Sequence, residues 1–306
     1  MVIVDQSINE YISVNVTTEW LDYNAVTVYN FGDVIFYGHY YYKSVVDANV
    51  GLAPDLNPRE WLLWEISNRY AQIDLRATTQ TTWNATTATD PADDALITDI
   101  VNKSYDILAM GNVQGKTIRV QAWDSVGGLI FDTTRGLYNR PNTNNWYNYY
   151  FGEFKDDGYS ENFIFTLPPS GGGHILITVE ANEGGIASVG YMVGGYSQYV
   201  GDSLFGLSVG LESNSQIEKD DFGITTITRR TSNALMDIDV IFSSRLQPEM
   251  QRVARSVLDK IVLFVGDEDT QSPYENLLIL GYIDDYNAIL SNSVKTTASY
   301  SIKEVI

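Results

Sequence analysis

The first candidates for catalysis or metal binding in this sequence are two histidines. His39 lies in a predicted turn and His174 follows a run of glycines. Neither has a partner at the spacing of a zinc motif such as HExxH, and no GxSxG nucleophile elbow is present for a histidine to serve as base. The chain also has no cysteine, which excludes disulfides, thiolate metal sites and thiol catalysis. We therefore predict no catalytic residue, no metal and no cofactor.

Carboxylates are the remaining candidates, because a glycosidase needs only a pair of them. With 39 acidic residues, adjacent pairs arise by chance. We interpret these pairs as solvated loops and sheet edges, where charge also discourages edge-to-edge pairing. A hydrolase of cell-wall or capsule polysaccharide is kept as the enzymatic alternative. The pairs are Asp156–Asp157, Asp220–Asp221 and Asp284–Asp285, and the acidic loops at Asp90–Asp94 and Asp267–Asp269 lack the pattern of an EF-hand.

The formal net charge of −20 bears on the partners that the chain can bind. A phosphate-binding face needs clustered Lys and Arg, so we predict no nucleic-acid binding. The start, MVIVDQSINEY, has neither the basic nor the apolar region of a signal peptide. No apolar run approaches the ~18 residues of a membrane span, so we expect a soluble protein with no membrane insertion.

Short segments with a period of two dominate the middle of the chain. In IRVQAWD, Ile118, Val120 and Ala122 fall on one face. Turn-rich PPSGGG and NEGG separate further strands, which predicts an antiparallel β-sandwich of jelly-roll type. The Thr-rich stretch Thr78–Asp94 before it is interpreted as a linker or an extended excursion. The further strands are predicted at Phe163–Leu167, Ile175–Glu180 and Ile186–Val193.

The last third of the chain combines strands with one helix. In MDIDVIF, the apolar residues of Met236–Phe242 alternate with aspartates. Gln247 and Pro248 open a helix with an apolar stripe, consisting of Met250, Val253, Ala254, Val257, Leu258 and Ile261. We predict an α+β domain with one helix on an antiparallel sheet. Its other strands are predicted at Ile224–Arg230, Ile261–Val265, Leu277–Ile283 and Thr296–Val305.

Residues 28–64 predict a small β module rich in aromatic residues. A Gly-Asp turn at Gly32–Asp33 precedes strand Val34–Tyr37, a turn at Gly38–His39 follows, and strand Tyr40–Val46 returns. An aromatic ring buries a large apolar area per residue, which suits a segment in which few residues must form a core. The segment resembles the small chitin-binding type of carbohydrate-binding module. The matching residues are Tyr29, Gly32, Asp33, Val34, Tyr37, Gly38, Tyr42, Asn49, Pro54 and Trp61.

This resemblance implies rings that stack on sugars. The equivalent of the exposed tryptophans in those modules is the run Ser44–Asp47, which has no aromatic residue. The candidate platforms are Tyr40, Tyr41, Trp61 and Trp64, and a structural role inside the module is the alternative for each of them.

A wider resemblance begins directly after the module. The run Ser67–Asp74 is similar to a "SNRWAMFD"-like run in a family of phage tail and virion structural proteins. The glycine-rich turn after Trp123, the VGYMVGG stretch at Val189–Gly195 and the DDFGITTITRR segment before the helix also look like theirs. The resemblance implies a component of the tail tip, baseplate or fibre attachment, made in the host cytoplasm and carried in the virion.

Together these features predict a mainly β, multidomain chain that assembles and binds. The expected domains are residues 1–77, containing the aromatic module, 78–200 with the linker and sandwich, and 201–306 with the α+β fold. The expected partners are other virion tail proteins and further copies of the chain in a ring or fibre. Arg69, Arg229 and Arg230 are candidate interface residues because positive charge is scarce; their alternative is pairing within the chain. A receptor-recognition protein that binds a host-surface glycan is the alternative function.

Overall fold

A computed structural model shows a chain built mainly from antiparallel sheets, as the sequence predicts. One α-helix lies on a sheet near the C-terminus, which confirms the predicted fold class. The described residues are 1–8, 11–84, 94–137, 161–170, 172–181, 185–219, 225–266, 277–289 and 294–305.

The elements follow one another in this order. The N-terminal strands are β1 (Val2–Val4), β2 (Tyr11–Val14), β3 (Val34–Tyr37), β4 (Tyr40–Ser44), β5 (Trp61–Ile66) and β6 (Thr81–Asn84). The middle strands are β7 (Ala95–Val101), β8 (Ile107–Val113), β9 (Thr117–Trp123), β10 (Leu129–Gly136), β11 (Glu161–Thr166), β12 (His174–Glu180), β13 (Ile186–Val189) and β14 (Tyr191–Gly195). The C-terminal elements are β15 (Ser197–Tyr199), β16 (Asp202–Ser203), β17 (Ser208–Ser213), β18 (Gln216–Lys219), β19 (Thr225–Thr228), β20 (Ser232–Ser243), helix α1 (Gln247–Val257), β21 (Val262–Val265), β22 (Leu278–Ile289) and β23 (Lys295–Glu304). Short 3-10 helices occur at Ala71–Ile73 and Ser244–Leu246.

The middle of the chain forms the layers of the predicted sandwich. A five-stranded sheet has the order β10-β9-β12-β7-β2, and a three-stranded sheet has the order β11-β8-β14. The alternation in β9 is confirmed, because Ile118, Val120 and Ala122 are all fully buried in one hydrophobic core. Leu108 and Met110 of β8 belong to the same core, which therefore lies between the sheets.

Two predictions in this region need correction. The predicted strand Ile186–Val193 is divided at Gly190, where an added Cβ would lie 2.6 Å from the Cβ of Asn112. Its halves β13 and β14 pair with different strands, β6 and β8. The Thr-rich stretch is not wholly a linker, because β6 is paired with β13 and Thr81 is buried. Residues 85–93 of that stretch lie outside the described residues.

The C-terminal part is an eight-stranded sheet with the order β15-β1-β21-β22-β23-β20-β16, in which β17 also pairs with β20. Met236, Ile238, Val240 and Phe242 of β20 are buried, as their alternation predicts. Helix α1 packs Met250, Ala254 and Val257 against this core, following the predicted stripe.

The helix is shorter than its apolar stripe. It ends at Val257 because Leu258 is extended and Asp259 has a positive φ of 63°. Leu258 consequently points to solvent instead of continuing the buried face, which corrects the prediction at that residue.

The first strand belongs to the C-terminal sheet. β1 lies between β15 and β21, and the N-terminal ammonium donates a hydrogen bond to the Gly201 carbonyl at 2.7 Å. The predicted first domain, residues 1–77, included this strand. The strand pairing joins β1 to the C-terminal sheet, and the domain boundaries stay predictions.

No helix among the described residues is long and apolar enough to cross a membrane.

Candidate interaction surface

The aromatic module is built as its turns predict. β3, β4 and β5 form a three-stranded sheet in that order. Gly32 adopts a φ of +94°, which favours glycine, and the Asp33 carboxylate accepts a 2.7 Å hydrogen bond from the Asn30 amide to close the bend. Gly38 has a φ of +65° in the turn between β3 and β4. The predicted hairpin is therefore confirmed.

Packed rings form the interior of the module. Tyr29, Ile35 and Trp61 form one buried hydrophobic cluster, and Tyr23 packs beside them. The ring centroids of Tyr29 and Trp61 lie 5.3 Å apart in a T-shaped arrangement, the geometry that aromatic quadrupoles prefer. The Trp61 indole N–H donates to the Leu52 carbonyl at 2.8 Å, so its polar atom is satisfied inside the core.

Of the four candidate sugar platforms, two cannot stack on a sugar and have the structural role that was the alternative. Tyr41 and Trp61 are each only 2% exposed, so neither ring presents a face to a ligand. The Tyr41 hydroxyl instead accepts a 3.0 Å hydrogen bond from the Glu19 amide, and burial raises the pKa of this phenol. Both residues hold the module together.

The other two predicted platforms face solvent. Tyr40 is 37% exposed and Trp64 is 49% exposed. The Lys43 ammonium lies 4.5 Å from the centroid of the Trp64 ring, a cation–π contact that covers one face of the indole. One ring face of Trp64 is therefore occupied by the chain itself.

Strand β5 exposes an apolar edge. It is the last strand of its sheet in the described part of the chain, and Leu62 and Leu63 beside Trp64 are exposed. An open edge carries unpaired backbone groups that can hydrogen-bond to another extended segment. The module surface also exposes other large apolar side chains, namely Trp20, Leu21, Val26, Val28, Phe31, Val46, Val50 and Leu56.

The run after β5 attaches the module to the sandwich. The side-chain amide of Asn68 donates to the Thr82 carbonyl at 2.9 Å and accepts from the Thr82 backbone N–H at 2.7 Å. It thus forms with β6 the pair of hydrogen bonds that a neighbouring strand would form. The buried Gln72 donates to the Thr98 hydroxyl of β7 at 3.0 Å. The Tyr70 ring packs on Tyr11 of β2, with centroids 5.5 Å apart.

Tyr70 also contacts the module. Its ring stacks on His39, with centroids 4.0 Å apart, and lies 6.1 Å from that of Phe36. We call Asn68, Tyr70 and Gln72 the joint. The role of this run as a joint could not be predicted from the sequence, because its contacts are with residues distant in sequence.

The three predicted interface arginines lie in two different places. Arg69 is partly buried at the joint, where its guanidinium lies 5.8 Å from the Tyr70 ring. Arg229 and Arg230 are exposed next to β19. Arg230 donates to the Gln216 side chain at 3.2 Å, and no carboxylate of the described residues pairs with either of these two guanidinium groups.

The residues considered for catalysis are dispersed. His174 stacks on Trp123 at 4.5 Å, far along the chain from His39 at the joint. Asp284 and Asp285 are exposed on β22, at a register shift opposite β23. The described residues contain no group of three or more His, Asp or Glu placed to hold a metal ion. The other acidic pairs and the loops at residues 90–93 and 267–269 lie outside the described residues.

Comparison with models of known protein families gave no match, and comparison with curated protein sequences gave none either.

Proposed function

We propose that this protein is a structural component of a bacteriophage tail and acts through protein–protein contacts at the tail tip, baseplate or fibre-attachment region. One observation carries the assembly role: the exposed apolar edge of the aromatic module, centred on Leu62, Leu63 and Trp64. The assignment to a tail rests on the resemblance of the run Ser67–Asp74 to tail proteins.

The edge is suited to a protein partner by its shape and composition. Leu62 and Leu63 are consecutive in β5 and therefore lie on opposite faces of the sheet, so a segment that lies along the edge meets one of them on each face. An extended segment of a neighbouring protein can add a strand to β5, taking main-chain hydrogen bonds from the edge. Leu62 and Leu63 then contribute to affinity because each removes apolar surface from water.

The joint gives this surface a firm base. Its hydrogen bonds to Thr82 and Thr98 and the ring contacts of Tyr70 bind the module to the sandwich sheets. A partner bound at β5 is therefore held by a module that is attached firmly to the sandwich, as a structural tail component requires.

The test uses charge placed on the edge. Leu62→Glu with Leu63→Glu should abolish incorporation of the chain into phage particles, because two carboxylates cannot be desolvated against an apolar partner. Val126→Glu is the matched control, since Val126 is exposed in a turn of the sandwich. Thermal unfolding should be the same for both variants. Normal incorporation of the double variant would contradict the proposal.

A host-surface glycan is the second candidate ligand, favoured by the exposed rings of Tyr40 and Trp64. Pyranose rings stack on flat aromatic faces, and a polysaccharide array can detect such binding. If the module recognises glycans, the wild type binds a spot that Tyr40→Ala or Trp64→Ala no longer binds, while both variants stay folded. An array without signal for the wild type would remove this candidate.

A further inference from the structure

The solvent side of helix α1 is basic in a strongly acidic chain. Met250, Ala254 and Val257 pack into the C-terminal core, whereas Arg252 and Arg255 are exposed. The whole chain has 19 basic residues against 39 acidic ones, so an excess of positive charge on one short segment is unusual. In residues 244–261 the basic residues outnumber the acidic ones, with Arg245, Arg252, Arg255 and Lys260 against Glu249 and Asp259.

The three arginines of this segment are not explained by the stability of the helix. No carboxylate among the residues that the structure describes forms an ion pair with Arg245, Arg252 or Arg255. Arg252 and Arg255 are three residues apart and therefore neighbours on the helix surface, where like charges repel each other. The helix dipole favours a cation at Arg255 in the last turn but disfavours one at Arg245, before the first turn. An acidic surface bound to the helix would compensate for this repulsion.

The opposite face of the same sheet presents such an acidic surface. Met236 of β20 belongs to the core that helix α1 covers, so the alternation of the strand turns Asp237 and Asp239 to the other side. Both aspartates are exposed. Asp285 of β22 lies on their side of the sheet, because Asp237 and Asp285 are both paired in register with Ser301 of β23. We call Asp237, Asp239 and Asp285 the acidic face.

The basic residues of these strands do not neutralise the acidic face. Lys303 is ion-paired with Glu212 of β17. Lys295 lies four residues before Ser299, the partner of Asp239, and is therefore about 13 Å away along the strand. The strands β20, β22 and β23 have more acidic than basic residues in total, with Asp237, Asp239, Asp284, Asp285 and Glu304 against Lys295 and Lys303.

We infer that helix α1 of one copy of the chain docks on the acidic face of a second copy. Two guanidinium groups at i and i+3 of a helix start from Cβ atoms about 5–6 Å apart. Asp237 and Asp239 are two residues apart on a strand, which separates them by about 7 Å, so Arg252 and Arg255 can each meet one carboxylate. Because the helix and the acidic face lie on opposite sides of one sheet, each copy can bind a second copy on one side and a third on the other. A contact of this head-to-tail kind generates a ring or a filament.

The net charge of −20 makes copies of the chain repel each other at long range. At about 0.15 M salt the Debye length is about 8 Å, so charges that face each other in a contact attract while the more distant acidic residues are largely screened. The local pairing of opposite charges therefore decides whether copies associate under these conditions. This inference concerns a different surface from the module edge and does not depend on the tail assignment.

Sedimentation of the purified full chain at about 0.15 M salt tests the contact. The wild type should form species larger than the monomer, in a fraction that rises with concentration up to about 100 µM, as expected of a small polar interface. Arg252→Glu with Arg255→Glu should raise the dissociation constant at least about 10-fold, because carboxylates then face Asp237 and Asp239. A wild type that stays monomeric over this range, or a helix variant that associates normally, would overturn the inference.

A second pair of arginines provides a control that is matched in net charge. Arg229→Glu with Arg230→Glu changes the charge of the chain by the same amount, at exposed residues next to β19. This variant should associate as the wild type does. If it loses association to the same extent as the helix variant, net charge alone governs the association and the assignment to helix α1 is wrong.

Exchanging the charges identifies both sides of the contact. Asp237→Lys with Asp239→Lys makes the acidic face basic, so this variant alone should be monomeric, as the Arg252→Glu, Arg255→Glu variant should be. A mixture of the two variants should associate again, because the acidic helix of one then meets the basic face of the other. Thermal unfolding of each variant verifies that it is folded before mixing. A mixture that associates no better than its separate components would overturn the inference.

Discussion

The two tryptophans of β5 offer a matched pair of substitutions in one strand. Trp61 is buried at 2% exposure and donates its indole N–H to Leu52, whereas Trp64 is 49% exposed. Trp61→Ala removes the largest ring from a core with few other members, and large-to-small changes of this kind cost about 3–5 kcal/mol. Trp64→Ala loses the contact with Lys43 and should cost at most about 1 kcal/mol.

Amide hydrogen exchange measures the effect of each substitution separately in the module and in the sandwich. Since each 1.4 kcal/mol is a factor of ten, Trp61→Ala should speed exchange in β3, β4 and β5 by about two to four orders of magnitude. Exchange in β9 and β12 of the sandwich core should change little, because Trp61 belongs to a hydrophobic cluster separate from theirs. Trp64→Ala should leave β3–β5 within about tenfold of the wild type. If both substitutions had the same effect on these strands, the ring-packed core described for the module would be refuted.

Three further substitutions test the packing elsewhere. Asn68→Ala should lower the free energy of unfolding by about 1–3 kcal/mol in urea denaturation, because it breaks the hydrogen bonds to Thr82; an unchanged midpoint would mean that the joint contributes nothing. Asp99→Asn should raise the melting temperature at pH 7, because burial raises the pKa of Asp99 and the folded chain therefore favours the neutral form. Wild-type stability falls as the pH rises through that raised pKa, and the gain at pH 7 should be below about 1 kcal/mol because Asp99 is only partly buried. The gain should vanish below the ordinary aspartate pKa. A variant that is still more stable than the wild type in acid would contradict this direction of the effect. Gly281→Ala should destabilise by about 1–3 kcal/mol, because its Cβ would lie 2.1 Å from the Lys303 carbonyl oxygen, whereas Gly136→Ala, with open space around the added Cβ, should cost much less.

The sequence predicts the elements whose pattern is long and regular. β9 alternates over its seven residues and β20 over Met236–Phe242, and the apolar stripe identifies helix α1. In each case the buried face is the one that the periodicity indicates. The turn chemistry of Gly32 and Asp33 also predicts the first bend of the aromatic module correctly.

Short or uniform segments do not carry such a signal. The three residues of β1 are all buried, so their pattern cannot identify the distant strands β15 and β21 as partners. In β4, the run Tyr40–Tyr42 has no polar residue to mark the solvent side, and a register shift against β5 follows Tyr41. The burial of Tyr41 could therefore not be predicted from alternation.

The candidate surfaces were predicted only in part. Tyr40 and Trp64 are exposed as a binding role requires, and Arg229 and Arg230 are exposed next to β19. The joint was not predicted, because Gln72 reaches a partner 26 residues away through a side-chain contact.

The copy number of this chain in purified phage particles tests the central claim most directly. Quantitative mass spectrometry against a labelled standard of the full chain measures it relative to the major capsid protein. A structural tail component should be present in a fixed, small integral number of copies per particle that survives repeated purification. Particles that lack the chain, or contain it only in amounts that decline with each purification step, would contradict the account.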